Sequence, residues 1–269
     1  MTDPSPQLLD ELLALALEAG RRAGALLRDG RPDDLGVAAT KSSPVDVVTE
    51  MDLASEKLIT ELIAARRPDD GLLGEEGASS TGTSGVRWVI DPLDGTVNYL
   101  YGLPCWAVSI AAEWQGRTVV GVVEVPSRGE TVEAVLGRGA QVNGRPAHCR
   151  PSPPLERALI GTGFGYLRER RERQAAVVQQ LIPRVRDIRR AGSAAIDLSD
   201  VGLGRLDGFY ERGLNPWDYA AGALIASEAG ASIGGRPGDA PSPDLTVAAS
   251  PGLFPVLQQT LDALGAWHD

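Results

Sequence analysis

Apolar residues recur at Leu8, Leu12, Leu15, Ala19, Ala23 and Leu26, the spacing with which a helix buries one face. A helix is therefore predicted over 8–27, punctuated by Gly30 and Pro32. A polar stretch, 40–52, leads into a second amphipathic helix over 53–66, which Pro68 stops. A short strand at 72–73 delivers Gly74-Glu75-Glu76. The Ser/Thr/Gly-rich segment 78–85 carries no packing signal and is expected to be a mobile loop. Residues 87–90 read as a four-residue strand ended by Asp91-Pro92. The β-branched and apolar runs 106–113 and 118–125 read as strands, and 132–136 is expected to pair back across the Ser127-Arg128-Gly129 turn. Gly137, Gly139 and Asn143-Gly144 mark further turns, and 146–154 a boundary between halves.

Beyond that boundary, strands at 159–162, 187–189, 207–211 and 245–249 alternate with helices at 170–181, 193–201, 217–228 and 253–264. No internal repeat is visible. Helices alternating with sheet-forming segments predict a layered α/β fold. The chain's 269 residues suit one large domain or two intimate halves.

Composition then narrows the chemistry. With 26 Lys+Arg against 36 Asp+Glu the net charge is −10, which argues against direct nucleic-acid binding or a polybasic membrane surface. No apolar run approaches the roughly 18 residues needed to cross a bilayer. The acidic start, with no basic segment, carries no sign of a signal peptide. Two cysteines, Cys105 and Cys149, cannot make a disulfide scaffold and suit a reducing compartment, so a soluble, cytoplasmic protein is expected. Histidine occurs only at His148 and His268, leaving almost no material for a His-rich zinc site or a Ser–His–Asp triad. Lysine occurs only at Lys41 and Lys57. Carboxylates, with a hard metal, are left to carry any catalysis.

The sharpest local feature is Trp88-Val-Ile-Asp91-Pro-Leu-Asp94-Gly-Thr96. Proline fixes φ and Asp-Gly permits a tight turn, so the chain reverses around Asp91 and Asp94. Both carboxylates and the Leu93 carbonyl could then face one spot, an oxygen donor set that suits a hard divalent cation. A plain turn with a strand-end cap would explain the same residues. Glu75-Glu76 reads either as a solvated acidic turn or as a like-charged pair that a nearby cation stabilises. Asp52 and Asp218 begin helices, where capping would account for them. Strand ends and helix starts are nonetheless where α/β proteins place ligands. Thr96 adds a hydroxyl able to hold a water, and a helix beginning near Gly95-Thr96 would offer free amides to an anion. A second such helix start is 191–194, where small residues for close packing are the alternative. A cation site abutting an anion site is what hydrolysis of a phosphate ester requires.

These residues closely resemble the motifs of the inositol monophosphatase family of magnesium-dependent, lithium-sensitive phosphatases, most of all its bacterial inositol-1-monophosphatases. Residues 88–99 look like the first family motif, and Trp217-Asp218-Tyr-Ala-Ala-Gly222, continuing to Gly230, like the second. Supporting matches are 41–52, Gly74-Glu75-Glu76, the 139–144 turn and Gly192-Ser-Ala-Ala195, so the resemblance covers nearly the whole chain. It implies an αβαβα five-layer sandwich of the inositol monophosphatase/fructose-1,6-bisphosphatase type. That would be a single phosphatase domain over 1–269, with the metal motifs and larger sheet in 1–150 and the second sheet and Asp218 in 151–269. It implies two or three Mg²⁺ ions held by Glu75, Asp91, Asp94, Asp218 and the Leu93 carbonyl, and an attacking water held by Glu75 and Thr96. Asp52 would position Thr96, Lys41 would lie near the metals, and the Gly95 and Thr96 amides would bind phosphate. Gly192, Ser193, Ala194 and Glu211 would face the alcohol. The chain departs from the pattern at Tyr101, where many relatives carry His or Arg, and at Val97, where many carry Thr.

The expected activity is hydrolysis of a small phosphate monoester, myo-inositol 1-phosphate foremost, by water attack without a phosphoenzyme, in a homodimer. Histidinol phosphate and fructose 1,6-bisphosphate are alternative substrates within the family. A non-catalytic, protein-binding scaffold role is the alternative of another class.

Overall fold

The first helix, α1 (Pro6–Asp29), starts where the Ser5 side chain accepts from the Leu8 amide, and ends at Gly30. The structure, a computed structural model, describes residues 3–267; His268 and the first two residues of the acidic start lie outside them. A two-stranded antiparallel hairpin follows, β1 (Ala39–Thr40) and β2 (Val47–Val48). Helix α2 (Glu50–Arg66) begins three residues earlier than the apolar pattern predicts. The cause is a capping box in which Thr49 and Asp52 satisfy each other's backbone groups.

Next come β3 (Gly71–Gly74), β4 (Ser79–Ser80), β5 (Val86–Asp94), the short α3 (Thr96–Leu100), β6 (Ala107–Trp114), β7 (Arg117–Val125), β8 (Glu130–Val135), β9 (Gly139–Val142) and β10 (Arg145–Ala147). Three expectations are corrected here. Segment 78–85 is tied down rather than loose: β4 pairs with β3, and the Thr83 and Ser84 amides donate to the Asp69 carbonyl. Strand β5 does not stop at residue 90. It continues to Asp94 through a register shift against β6 that begins at Asp91. The boundary expected from residue 146 begins inside β10, where Pro146 is tolerated because that strand is the edge of its sheet, while the turns marked at Gly137 and Asn143-Gly144 do stand on either side of β9.

The remainder is β11 (Leu159–Thr162), α4 (Arg168–Leu181), β12 (Asp187–Arg189), α5 (Ala194–Gly202), β13 (Gly208–Glu211), α6 (Pro216–Glu228), β14 (Ser232–Gly234), β15 (Thr246–Ala249) and α7 (Phe254–Ala263). The larger sheet runs β10-β9-β8-β7-β6-β5-β3-β4, and within it only β3 and β5 are parallel. The smaller runs β12-β11-β13-β15-β14.

Four apolar clusters cement five layers. Leu12, Leu15, Ala19 and Leu27 of α1, with Ile59 and Ile63 of α2, cover one face of the larger sheet against Trp88, Ile90 and Val122. Its other face, Val89, Ala111 and Val123, packs on Ile196 of α5 and Ala221 and Ile225 of α6. The same two helices present Leu198, Val201 and Ala226 to Phe209 and Ala248 of the smaller sheet. The outer face of that sheet, Ile160, Tyr210 and Val247, is closed by Val177 and Leu181 of α4 and Leu257 and Leu261 of α7. Each buried Val, Leu, Ile or Phe side chain among these contributes about 1.5–3 kcal/mol. The order is helix, sheet, helix, sheet, helix: the αβαβα sandwich. Among the described residues no helix is long and apolar enough to cross a membrane.

Candidate active site

Parallel strands end on the same side of a sheet, and here that rule brings acids together. Leu73 pairs with Val89 and Gly74 with Ile90, so Glu75 leaves β3 beside Asp91 of β5, its amide donating to the Ile90 carbonyl at 3.1 Å. Asp91 Oδ1 accepts from the Leu93 amide (3.0 Å), which folds the chain back toward Asp94. Gly95 then adopts φ +95°, and a Cβ there would stand 2.8 Å from the Cys105 carbonyl oxygen, so the turn into α3 requires glycine. Asp218 arrives from the middle helical layer, in the first turn of α6, with Oδ2 accepting from the Asn215 amide (2.6 Å).

The supports come from elsewhere. Asp94 Oδ2 accepts from Ser193 Oγ and the Ala195 amide, both at 2.7 Å, binding the β5 turn to the start of α5. Asp52 is fully buried behind Thr96, whose Oγ1 lies 2.9 Å from Asp52 Oδ1 and 3.0 Å from the Leu93 carbonyl. Lys41 Nζ reaches Glu75 and Glu76, both at 2.7 Å, so the cation that steadies this like-charged pair is a lysine.

Burial and mutual repulsion set the electrostatics. Asp91 and Asp218 are held well above the usual carboxylate range, by desolvation first and then by the charges of Glu75 and Asp94. Asp94 is pushed up to about 6 by burial, although its bonds to Ser193 and Ala195 pull the other way. Glu211 reaches about 8 and Glu76 about 7, again through burial. Burial opposes the Lys41 charge, but the two glutamates outweigh it and the net shift is upward.

Lys41, Glu75, Asp91, Leu93, Asp94, Gly95, Thr96, Gly192, Ser193, Ala194, Glu211 and Asp218 all line one cleft of about 340 Å³. Asp52 does not; it stands behind Thr96. Among the described residues no group of three or more His, Cys, Asp or Glu side chains is already arranged to hold a metal ion. Glu75 is drawn to Lys41, and one oxygen each of Asp94 and Asp218 is engaged with backbone amides. The donors share one cleft without converging on a single point among the described residues.

Sequence reasoning missed several neighbours. Buried Glu56 accepts from the Glu76 and Ala78 amides at 2.9 and 3.0 Å and so shapes the turn that carries Glu75. Its signal was an acid on the buried face of an amphipathic helix. Asn98 Nδ2 donates to the Cys105 and Ala191 carbonyls (2.6 and 2.9 Å), joining α3 to the loop before α5. Tyr166, Arg170, Arg190 and Trp217 also line the cleft, the first three from segments with no motif to mark them.

Known proteins are similar to this chain over most of its length. The model of the inositol monophosphatase family matches residues 8–264. Inositol-1-monophosphatase SuhB of Mycobacterium tuberculosis is 44% identical over 252 residues, covering 89% of this chain and 86% of that protein. A protein named Nus factor SuhB, from Pasteurella multocida, is 42% identical over 229 residues, covering 84% and 85%. The crystal structure of extragenic suppressor protein suhB from Bartonella henselae superposes with a TM-score of 0.87 at 35% identity, over 93% of this chain and 98% of that one. The chain belongs to the inositol monophosphatase family.

Proposed function

We propose that the protein is a Mg²⁺-dependent phosphatase of small phosphate monoesters, with myo-inositol 1-phosphate its foremost substrate. One observation carries this reading: four carboxylates and the Thr96 hydroxyl, delivered by two strand ends and two helix starts, face one cleft. The donor set fits a hard divalent cation, being all oxygen, and Asp91 and Asp218 are raised by burial and then by repulsion from neighbouring acids, both of which a cation would offset. Bound by Glu75, Asp91, Asp94, Asp218 and the Leu93 carbonyl, Mg²⁺ would supply Lewis-acid polarisation and neutralise charge on the phosphoryl and leaving oxygens.

The chain's own residues do the rest. A hydroxyl has one proton, and that of Thr96 is committed to Asp52 or the Leu93 carbonyl, so its oxygen faces the cleft as an acceptor and orients a water. Glu75, fixed by Lys41, takes the water's proton as its oxygen attacks phosphorus. The phosphorus–alcohol bond breaks, the departing oxygen is protonated by a second water, and no covalent phosphoenzyme forms. The amides of Gly95 and Thr96 hold phosphoryl oxygens. Gly192, Ser193, Ala194 and Glu211 contact the alcohol, Glu211 through its hydroxyl groups.

Phosphate release from inositol 1-phosphate, histidinol phosphate, fructose 1,6-bisphosphate and 3′-phosphoadenosine 5′-phosphate tests the reading. Release from at least one, with Mg²⁺ and not with excess chelator, is expected. Release from none, or release indifferent to chelator, overturns it.

A further inference from the structure

Helix α2 carries a polar stripe into the interior. Asp52, Ser55 and Glu56 follow one another at the i, i+3, i+4 spacing of a single helix face, and all three are buried. Further along, the same face carries Ile59 and Ile63, which belong to the core. Each polar member holds a different piece of the site. Asp52 Oδ1 accepts from Thr96 Oγ1 (2.9 Å), Ser55 Oγ donates to the Pro92 carbonyl (2.8 Å), and Glu56 accepts from the Glu76 and Ala78 amides. Asp52 and Glu56 are one turn apart, about 6 Å along the axis. Thr96 and the turn that bears Glu75, the two groups that hold the attacking water, are therefore set from one rigid element.

The Glu56 carboxylate fills the turn it holds. The Gly74 amide donates to the Ala78 carbonyl at 2.6 Å, closing the loop 74–78 around Glu75. A Cβ on Gly74 would stand 2.3 Å from Glu56 Oε2, so a residue without one leaves the carboxylate its place. Gly74 is not among the glycines with positive φ, so room for Glu56, and not backbone conformation, is what asks for glycine there. Lys41 holds the Glu75 side chain, and Glu56 holds the backbone that carries it. A buried carboxylate is unfavourable unless it is hydrogen-bonded, and the bonds that stabilise this one come from amides of the turn that presents Glu75. Glu56 does not line the cleft, so it meets no substrate there. Asp70 is the contrasting case, a buried acid that accepts from Trp88 Nε1 and Ser84 Oγ and takes no part in the cleft.

We infer that Glu56 is a positioning residue for the hydrolysis, acting through the 74–78 turn to keep Glu75 where a metal ion and the attacking water need it relative to Thr96. This role rests on the phosphatase reading above and adds a residue to it. Three variants are compared with the wild type and with Asp70→Ala: Glu56→Gln, which keeps one acceptor, Glu56→Ala, and Gly74→Ala, whose methyl group would displace the carboxylate. At saturating Mg²⁺, kcat of the folded fraction should fall roughly tenfold in Glu56→Gln and Gly74→Ala and about a hundredfold in Glu56→Ala, with KM for inositol 1-phosphate held within about twofold, the signature of a misplaced reacting group. Calorimetric titration of the substrate-free protein should show Mg²⁺ bound about tenfold more weakly by each of the three, the scale of one lost charged hydrogen-bonding partner. Asp70→Ala should bind Mg²⁺ as the wild type does. Urea unfolding sets the folded fraction throughout, and if Glu56→Ala does not fold, Glu56→Gln and Gly74→Ala decide. Mg²⁺ affinity or kcat unchanged in both of these overturns the role and leaves the phosphatase reading standing. So does a loss of Mg²⁺ affinity that Asp70→Ala shares in full, which marks a general loosening of the fold. If the wild type binds Mg²⁺ but releases phosphate from no ester, the phosphatase reading fails, and the Mg²⁺ titration alone decides whether Glu56 positions Glu75. A wild type that binds no Mg²⁺ overturns both.

Discussion

Two buried aspartates flank strand β5, Asp70 just ahead of β3 and beside the start of β5, and Asp91 toward its far end, and the two are treated oppositely. Asp70, 6% exposed, accepts from Trp88 Nε1 (2.8 Å), Ser84 Oγ (2.6 Å) and the Arg67 guanidinium, so both oxygens are filled from within the protein. Toward the far end of β5, Asp91, 2% exposed, accepts from one backbone amide and otherwise faces Glu75, Asp94 and Asp218, whose charges add to the upward push that burial gives its pKa. A buried charge is tolerated when hydrogen-bonded and paired. Asp70 meets that condition as a structural part; Asp91 meets it only with a ligand.

The contrast is broken most sharply by exchanging the effects. Asp91→Asn should lower kcat about 10³-fold at saturating Mg²⁺, roughly 4 kcal/mol of transition-state stabilisation. It should leave the metal-free protein as stable as before or more so, because it removes a repelled charge. Asp70→Ala should do the reverse, costing about 2–4 kcal/mol in urea unfolding by stranding the Trp88 N–H and Arg67, with turnover of the folded fraction retained. Full turnover in Asp91→Asn would make it a second Asp70.

A smaller effect sharpens the comparison through pH. Glu211, Glu76 and Asp94 titrate near 8, 7 and 6 in the folded protein, each above its unfolded value. A carboxyl with a raised folded pKa holds its proton more tightly when folded, so stability is greatest with it protonated and declines as pH rises through the window from about 4 to about 8. The melting temperature of chelator-treated protein should therefore rise by several degrees between pH 8 and pH 6. Mg²⁺, which requires ionised ligands, should flatten that slope where Asp94 contributes, and equal slopes with and without the ion would remove Asp94 from the metal site. Smallest is Thr49→Ala, which opens the α2 capping box and should cost about 1 kcal/mol. It should also lower kcat severalfold by loosening Asp52 behind Thr96, measurable against an unchanged KM.

What the sequence disclosed follows from how strongly each feature is patterned. Strand β7 is rich in β-branched residues and bounded by turn residues, and α1 repeats its apolar face over six turns, so patterning found them. The extension of β5 through Asp91-Pro-Leu-Asp94 was hidden, since proline and aspartate oppose strand formation and only pairing with β6 holds them there. Strands β1, β2 and β4 have two residues each, too few for any period. In the cleft, the acids were visible because Asp-Pro-Leu-Asp-Gly-Thr and Pro-Trp-Asp are compact motifs. Arg170 and Arg190 were not. One lies in an arginine-rich helix start and the other follows a second arginine, so no motif singles them out.

The grip of Asp94 on Ser193 and Ala195 spans about a hundred positions of chain. During synthesis the β5 turn therefore emerges long before its partners, and Asp218 follows later still. An incomplete polypeptide would hold its clustered acids without the contacts that aim them. The cleft would therefore take its final form only once the segments bearing Ser193 and Asp218 had joined the β5 turn.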